Sequence, residues 1–368
     1  VAGRVLRLAV VADQLQTRAG SERVFQYVCE EFPDADAFAF AYSPDLTFPY
    51  FKDRGIRTPP MASLIQSRNA YLWSFPFATY AMENLKLQGY DAVLSCSATV
   101  AKYVRPRGGK HLCYCYIPTR ALWQANEYFG SSAIGKIVRP ALGFLRHRDR
   151  KAAARVDSFL TISQASQEHI RRCYGRESEI LYCPIDTDRF RPAAKREKHF
   201  LIVSRLEKWK RVDYAVEAFR RLDYPLRIVG TGPEEEALRA IAGPRTEFVG
   251  TVTDSELAEE YSRARAVIFT PYIEGGMTPV EANACGTPTI CLGAGGVTEL
   301  QIDYTEAESR GTPTSVFFNQ QTPEAVIEAV RTFADIRFDT ECIVRHADQY
   351  SVPRFRKTIR QFVERSID

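Results

Sequence analysis

The sequence predicts an α/β protein of two doubly wound domains, and three observations carry that prediction. Its 368 residues exceed what a single hydrophobic core ordinarily holds. Short apolar runs alternate with helix-periodic segments in both halves, as stacked βα units require. Between the halves, Arg191-Pro-Ala-Ala-Lys-Arg-Glu-Lys198 is charged, aperiodic and proline-containing, which reads as a linker. The expected domains are 1–190 and 199–351, joined by 191–198, with the ligand in the cleft between them.

Composition excludes several classes. A net charge of +4 is small for this length, so nucleic acid is not an expected partner. No apolar run reaches the length of a membrane span, and Val1–Val10 lacks a cleavage pattern, so a cytoplasmic protein is expected. The nine cysteines are odd in number and scattered, with no Cys-x-x-Cys pair and no histidines at zinc spacing. Reduced thiols, no metal and no cofactor follow. Cys113 and Cys115 alternate along a strand-like run and share one face.

In the first half, Val5–Ala12 reads as a buried strand. The turn Arg18-Ala-Gly-Ser-Glu22 then leads into a helix from about Glu22 to Phe32, with Ser21 as N-cap. No Gly-x-Gly-x-x-Gly follows this strand, which disfavours a dinucleotide-dependent oxidoreductase. Strands are expected at Ala37–Tyr42, Asp91–Cys96, His111–Tyr116, Ser158–Ser163 and Glu179–Tyr182. The aromatics between Tyr71 and Tyr80 suit either an acceptor surface or core, and core is favoured. Ile134–Arg155 carries seven basic residues against the single acid Asp149, with apolar residues interleaved. That pattern fits a helix lying on anionic lipid or holding an acidic acceptor, and equally a solvated face interrupted at Pro140 and Gly143. Asp186 and Asp188 form an Asp-x-Asp, read as a turn rather than a metal site.

The second half opens with the strand Phe200–Ser204. Arg205 and Lys210 follow it, five residues apart, and both can reach one diphosphate, the arginine bidentately and the lysine as a point charge. Gly230-Thr-Gly-Pro-Glu-Glu-Glu236 opens a helix whose three glutamates repel phosphate, so that loop reads as structural. Arg265–Thr270 is a further buried strand. Gly275-Gly276 can turn the chain after it, and Thr278-Pro279 reads as N-cap and first helical residue of a helix that stops at Gly286. The N–H groups of that helix's first turn favour an anionic ligand. Glu281 completes a Thr278–Glu281 capping box in one reading.

A second reading of Glu281 comes from resemblance. Glu274 to Pro288, ending in Glu281-Ala-Asn-Ala-Cys-Gly-Thr-Pro, together with Arg205 and Lys210, resembles the donor site of retaining glycosyltransferases of family 4, which have the two-domain GT-B fold. The resemblance covers nearly the whole chain and is closest to mannosyltransferases. It implies a sugar transfer from a nucleoside diphosphate donor, UDP- or GDP-linked with GDP-mannose the first guess, to a glycan, lipid-linked or small-molecule acceptor.

The roles it implies are residue by residue. Arg205 and Lys210 bind the pyrophosphate, Glu281 binds the ribose, and Glu274 positions the donor sugar. Ser204, Val252, Gly275, Gly276, Met277 and Thr278 line the donor, as do Gly20, Ser21 and Tyr116 from the first half. The tail from Val352 resembles the family's terminal helix, which returns to the first domain. Four positions depart from the pattern: Ala19 for a glycine, Tyr116 for a histidine, Gln124 for an aspartate, and Ile273 where the first glutamate falls. These departures motivate the alternative of a sugar-nucleotide-binding protein with lost or altered transfer activity.

Overall fold

A computed structural model describes residues 6–60, 75–125, 139–192 and 196–367. Its contacts divide the chain into two compact units, residues 1–182 with 355–368, and residues 183–354. The division falls at Tyr182, eight residues before the expected 190, and the segment 191–198 lies inside the second unit. There Arg196 donates hydrogen bonds to the Gly286 carbonyl and the Thr340 hydroxyl, so it is tied down rather than linker-like.

The first unit is built as β1 (Leu8–Leu15), α1 (Gly20–Glu31), β2 (Asp36–Tyr42), α2 (Phe75–Glu83), β3 (Ala92–Ser97), β4 (Lys110–Cys115), α3 (Leu142–Ala153), β5 (Ser158–Thr161), α4 (Gln164–Tyr174) and β6 (Glu179–Ile180). All six strands are parallel, in the order β2-β1-β3-β4-β5-β6. The order reverses between β1 and β3, and in open α/β sheets the crevice outside such a reversal is where ligands bind. Both faces of the sheet are covered, so β1, β3 and β4 read as near-continuous buried runs rather than alternating ones. Helix α4 shows both end signals: the Ser163 hydroxyl accepts from the Ser166 N–H, and Gly175, at φ 65°, ends it left-handed. From Phe355 onward the C-terminal helix (Val352–Ile367) belongs to this unit, where Arg356 and Arg360 pair with Glu30 and Glu31.

Two first-half expectations change. Helix α1 is preceded by Ala19, not Ser21, because the Ser21 hydroxyl donates to Glu22 Oε2 at 2.8 Å instead of capping. The basic helix covers only Leu142–Ala153, after a turn at Arg139–Ala141 that contains Pro140, while Gly143 sits inside it; Ile134–Val138 lie outside the described residues. Its arginines are largely spent within the unit: Arg146 on the Leu122 carbonyl, Arg148 and Arg155 on Glu83, Arg150 on the Cys173 carbonyl. Of the aromatic stretch, Tyr71 and Trp73 lie outside the described residues. Phe75 and Phe77 pack on the core, while Tyr80 is exposed.

The second unit runs β7 (Phe200–Val203), α5 (Val212–Arg221), β8 (Leu226–Val229), α6 (Glu235–Ile241), β9 (Thr246–Gly250), α7 (Asp254–Arg263), β10 (Ala266–Phe269), α8 (Met277–Ala284), β11 (Thr289–Leu292), β12 (Ser315–Phe318), α9 (Pro323–Asp335) and α10 (Thr340–Asp348). Its parallel sheet is ordered β12-β11-β10-β7-β8-β9, which reverses between β7 and β10. In α5, Val212, Ala215, Val216 and Phe219 recur at helical spacing and are buried. They meet Phe200, Ile202, Ile228 and Ile268 from the sheet in one apolar cluster. Each such fully buried side chain contributes about 1.5–3 kcal/mol relative to exposure. The two units are thus both Rossmann-like, and what distinguishes them is what sits at each reversal.

Candidate functional site

At the reversal of the second sheet, the chain leaves β7 through Ser204 and Arg205 and leaves β10 through Thr270. A side chain ties the two exits together: the Thr270 hydroxyl donates to the Lys210 carbonyl at 2.8 Å, and Gln321 Nε2 donates to the Thr270 carbonyl at 3.0 Å. Arg205 and Lys210 are thereby held at the carboxyl ends of adjacent strands. Glu207 organises the segment between them, pairing with Arg205 at 2.9 Å and accepting from Trp209 Nε1. Lys210 Nζ lies 4.2 Å from the centre of the Trp209 ring, a cation–π contact that leaves its charge undiminished. An anion approaching Arg205 therefore competes with one internal carboxylate.

Glycines bring the neighbouring loops up to this segment. A Cβ on Gly230, at φ 122°, would lie 1.9 Å from the Ser204 carbonyl oxygen, so no other residue permits that approach. The Leu206 N–H donates to the Thr231 carbonyl across the same contact. The Gly230 loop is therefore a brace behind Arg205, in keeping with its structural reading. A second brace holds the other loop: the Gly296 N–H donates to the Ile273 carbonyl, and a Cβ on Gly296 would lie 1.9 Å from the Glu274 carbonyl oxygen.

The Thr278 cap expected from sequence does not form. Helix α8 begins one residue earlier, at Met277, with Gly276 as its N-cap and no side-chain cap. Glu281 does not reach back to close a box. It accepts from the Tyr261 hydroxyl at 2.9 Å, and burial, followed by this carboxylate, pushes the Tyr261 pKa up. The capping box forms instead at α7, where Thr253 and Glu256 exchange bonds just after Val252. With Gly275 and Gly276 leading into it, the first turn of α8, Met277 and Thr278, presents uncapped N–H groups on the side of Thr270.

Ile273 packs with Phe269, Cys291 and Val297, so position 273 faces an apolar cluster. The following residue, Glu274, is itself only 2% exposed. Asp186 accepts from the Arg189 N–H and Asp188 pairs with Arg191, so this pair closes a turn. Among the described residues, no group of three or more His, Cys, Asp or Glu side chains is placed to hold a metal ion. No described helix is long and apolar enough to cross a membrane.

In the first unit, Gly20, Ser21 and Tyr116 come together at the other reversal. Tyr116 is buried against Tyr114, and its hydroxyl donates to the Ser21 carbonyl at 3.3 Å. Ser21, Tyr116 and the ends of β1 and β3 border a cavity of about 100 Å³. Sequence reasoning missed three groups here. Asp13, in the last turn of a strand, accepts from the N–H groups of Ala98, Thr99, Val100 and Ala101. Lys102 and Asp149 form a fully buried ion pair at 3.0 Å. Burial works to lower the Lys102 pKa, but the Asp149 carboxylate holds it above the usual value. The available signals were an acid inside an apolar strand and a lysine inside the apolar run Val100–Val104.

Comparison with known proteins places this geometry among relatives. Residues 18–189 match the family model described as Glycosyltransferase Family 4, and residues 184–341 match that described as Glycosyl transferases group 1. Glycogen synthase of Mycobacterium tuberculosis is 32% identical over 165 residues, 40% of this chain and 40% of the relative. A D-rhamnosyltransferase of Pseudomonas aeruginosa is 27% identical over 42% of this chain and 44% of its own length. The chain thus spans about two fifths of the length of these curated relatives. Among solved structures, sucrose-phosphate synthase of Thermosynechococcus elongatus has a TM-score of 0.73 at 17% identity, covering 98% of this chain and 99% of that one. HepE of Anabaena, in complex with UDP and glucose, has a TM-score of 0.69 at 16% identity, covering 98% and 100%.

Proposed function

From a chain that is GT-B in fold and glycosyltransferase family 4-like in sequence, we propose a retaining hexosyltransferase that uses a nucleoside diphosphate sugar and needs no metal. The observation that carries this reading is the convergence of Arg205, Lys210 and the uncapped start of α8 at the β7/β10 reversal. Transfer leaves a diphosphate whose negative charge grows as the sugar departs. A guanidinium fork, an ammonium and helix N–H groups fixed around that position stabilise the departing group more than the bound donor, which is what lowers a barrier. In the same-face course implied by the family resemblance, the leaving phosphate oxygen takes the acceptor proton, so no protein nucleophile is required. Glu274 is assigned to the donor sugar hydroxyls and Glu281 to the ribose, with Ser204, Val252, Gly275 and Gly276 lining the nucleotide. Gly20, Ser21 and Tyr116 supply polar contacts from the first unit.

HepE is described with UDP and UDP-glucose, so UDP joins GDP as a base to test, alongside GDP-mannose as first donor. The acceptor is assigned to the glycan or lipid-linked class. Titration of UDP, GDP and their sugars into wild type and Lys210→Ala, with and without chelator, tests the site. We expect one nucleotide to bind regardless of chelator and Lys210→Ala to weaken it at least tenfold, the loss of one charge-assisted contact. Unchanged affinity in the variant sinks the assignment. The second reading, a binding protein without turnover, is favoured by Tyr116 and by the apolar packing of Ile273; donor binding with no sugar transfer or hydrolysis would establish it.

A further inference from the structure

The cavity at the β1/β3 reversal has a polarity of its own. The N–H groups of residues 98–101 converge at 2.6–2.9 Å on the Asp13 carboxylate, with the Ser97 hydroxyl at 3.2 Å. Such a turn of N–H groups is an anion site, and here the chain's own carboxylate fills it. No lysine or arginine is among the described residues that line the cavity. An arriving phosphate therefore meets a negative charge and finds no cation.

The remaining polar groups accept rather than donate. Gln14 lines the cavity, and its Oε1 is buried with no hydrogen-bond partner among the described residues. The Ser21 hydroxyl spends its proton on Glu22 and the Tyr116 hydroxyl on the Ser21 carbonyl, so toward a ligand each offers lone pairs. A buried acceptor without a partner is costly, and a bound donor removes that cost. We propose that this cavity binds the hydroxyl-bearing face of an uncharged sugar or polyol and rejects its phosphate ester. The inference rests on the glycosyltransferase reading and deepens it by fixing the class of group the first unit takes. That group is either the donor's sugar or the acceptor's.

The test uses D-mannose and D-glucose with their 6-phosphates, measured by ligand-observed NMR on the full chain. We expect a neutral sugar to bind and its ester to bind at least tenfold more weakly. Gln14→Leu is expected to weaken the neutral sugar roughly fivefold to tenfold, the worth of one hydrogen bond. It should also raise the melting temperature of the ligand-free protein, which verifies folding, whereas Gln14→Glu, which keeps an acceptor, retains sugar binding. Loss of affinity for a nucleoside diphosphate sugar but not for the free nucleotide assigns the cavity to the donor's sugar. Loss confined to free sugar assigns it to the acceptor, and both outcomes support the proposal. Failure of either neutral sugar to bind, equal affinity for the esters, or sugar affinity indifferent to Gln14→Leu would overturn it. Failure of the underlying reading shows separately, as absence of UDP and GDP binding.

Discussion

His111 illustrates how one side chain sets a pH limit that no catalytic role explains. Its ring is buried, with Nε2 3.0 Å from the Ser95 hydroxyl. Burial pushes its pKa from 6.5 down to about 4, with Arg155 adding to the shift and Asp157 opposing it. The fold therefore favours neutral imidazole. Its contribution is complete above about pH 6.5 and is lost as pH falls from there toward 4. Between pH 7.5 and 5 the loss is about 2 kcal/mol. Burial lowers His199 and His346 too, so they act in the same sense. Urea midpoints at the two pH values should separate clearly for wild type and much less for His111→Gln; equal slopes would show that another group is responsible.

At the scale of elements, the Lys102–Asp149 pair works as a strut between loops. Lys102 Nζ donates to the Thr99 carbonyl and the Thr119 hydroxyl, while Asp149, on α3, also accepts from Tyr103, Trp123 and Tyr174. Three segments, those after β3 and β4 and helix α3, are thus fixed by two side chains with no exposure. Removing one partner strands the other charge in the core, which costs about 3–5 kcal/mol. Lys102→Met should lose stability on that scale, and adding Asp149→Leu should restore part of it. A double variant as unstable as the sum of the singles would argue that the pair is not coupled.

For the molecule as a whole, a net charge of +4 leaves surface docking to local features. Phe144 is 65% exposed on α3, beside exposed Arg139, His147 and Lys151. We propose that this face makes a peripheral contact with anionic lipid, the remnant of the broader basic surface expected from sequence. Because several arginines are spent internally, the contact should be weak and salt-sensitive. Co-sedimentation of the full chain with anionic vesicles is expected, falling several-fold in Phe144→Ser with nucleotide affinity unchanged. Vesicle binding that ignores both salt and Phe144 would rule this face out.

The sequence by itself determined the alternation of strands and helices, the two-domain α/β class and the phosphate-seeking pair Arg205 and Lys210. These are local signals: apolar runs, glycine turns and spacing along one segment reveal them without reference to distant residues. Only the tertiary structure decided where competing hydrogen bonds went. Ser21 and Thr278 are both good N-cap types, yet one spends its hydroxyl on Glu22 and the other lies inside a helix started by Gly276. Glu281 answers to Tyr261, twenty residues away, and Asp149, read as the lone acid of a basic helix, is the centre of a buried network. Asp13 holds a turn 85–88 residues along the chain. Such partners meet only once the sheet has brought strand ends together, and a buried polar group must then take whichever partner the packing supplies.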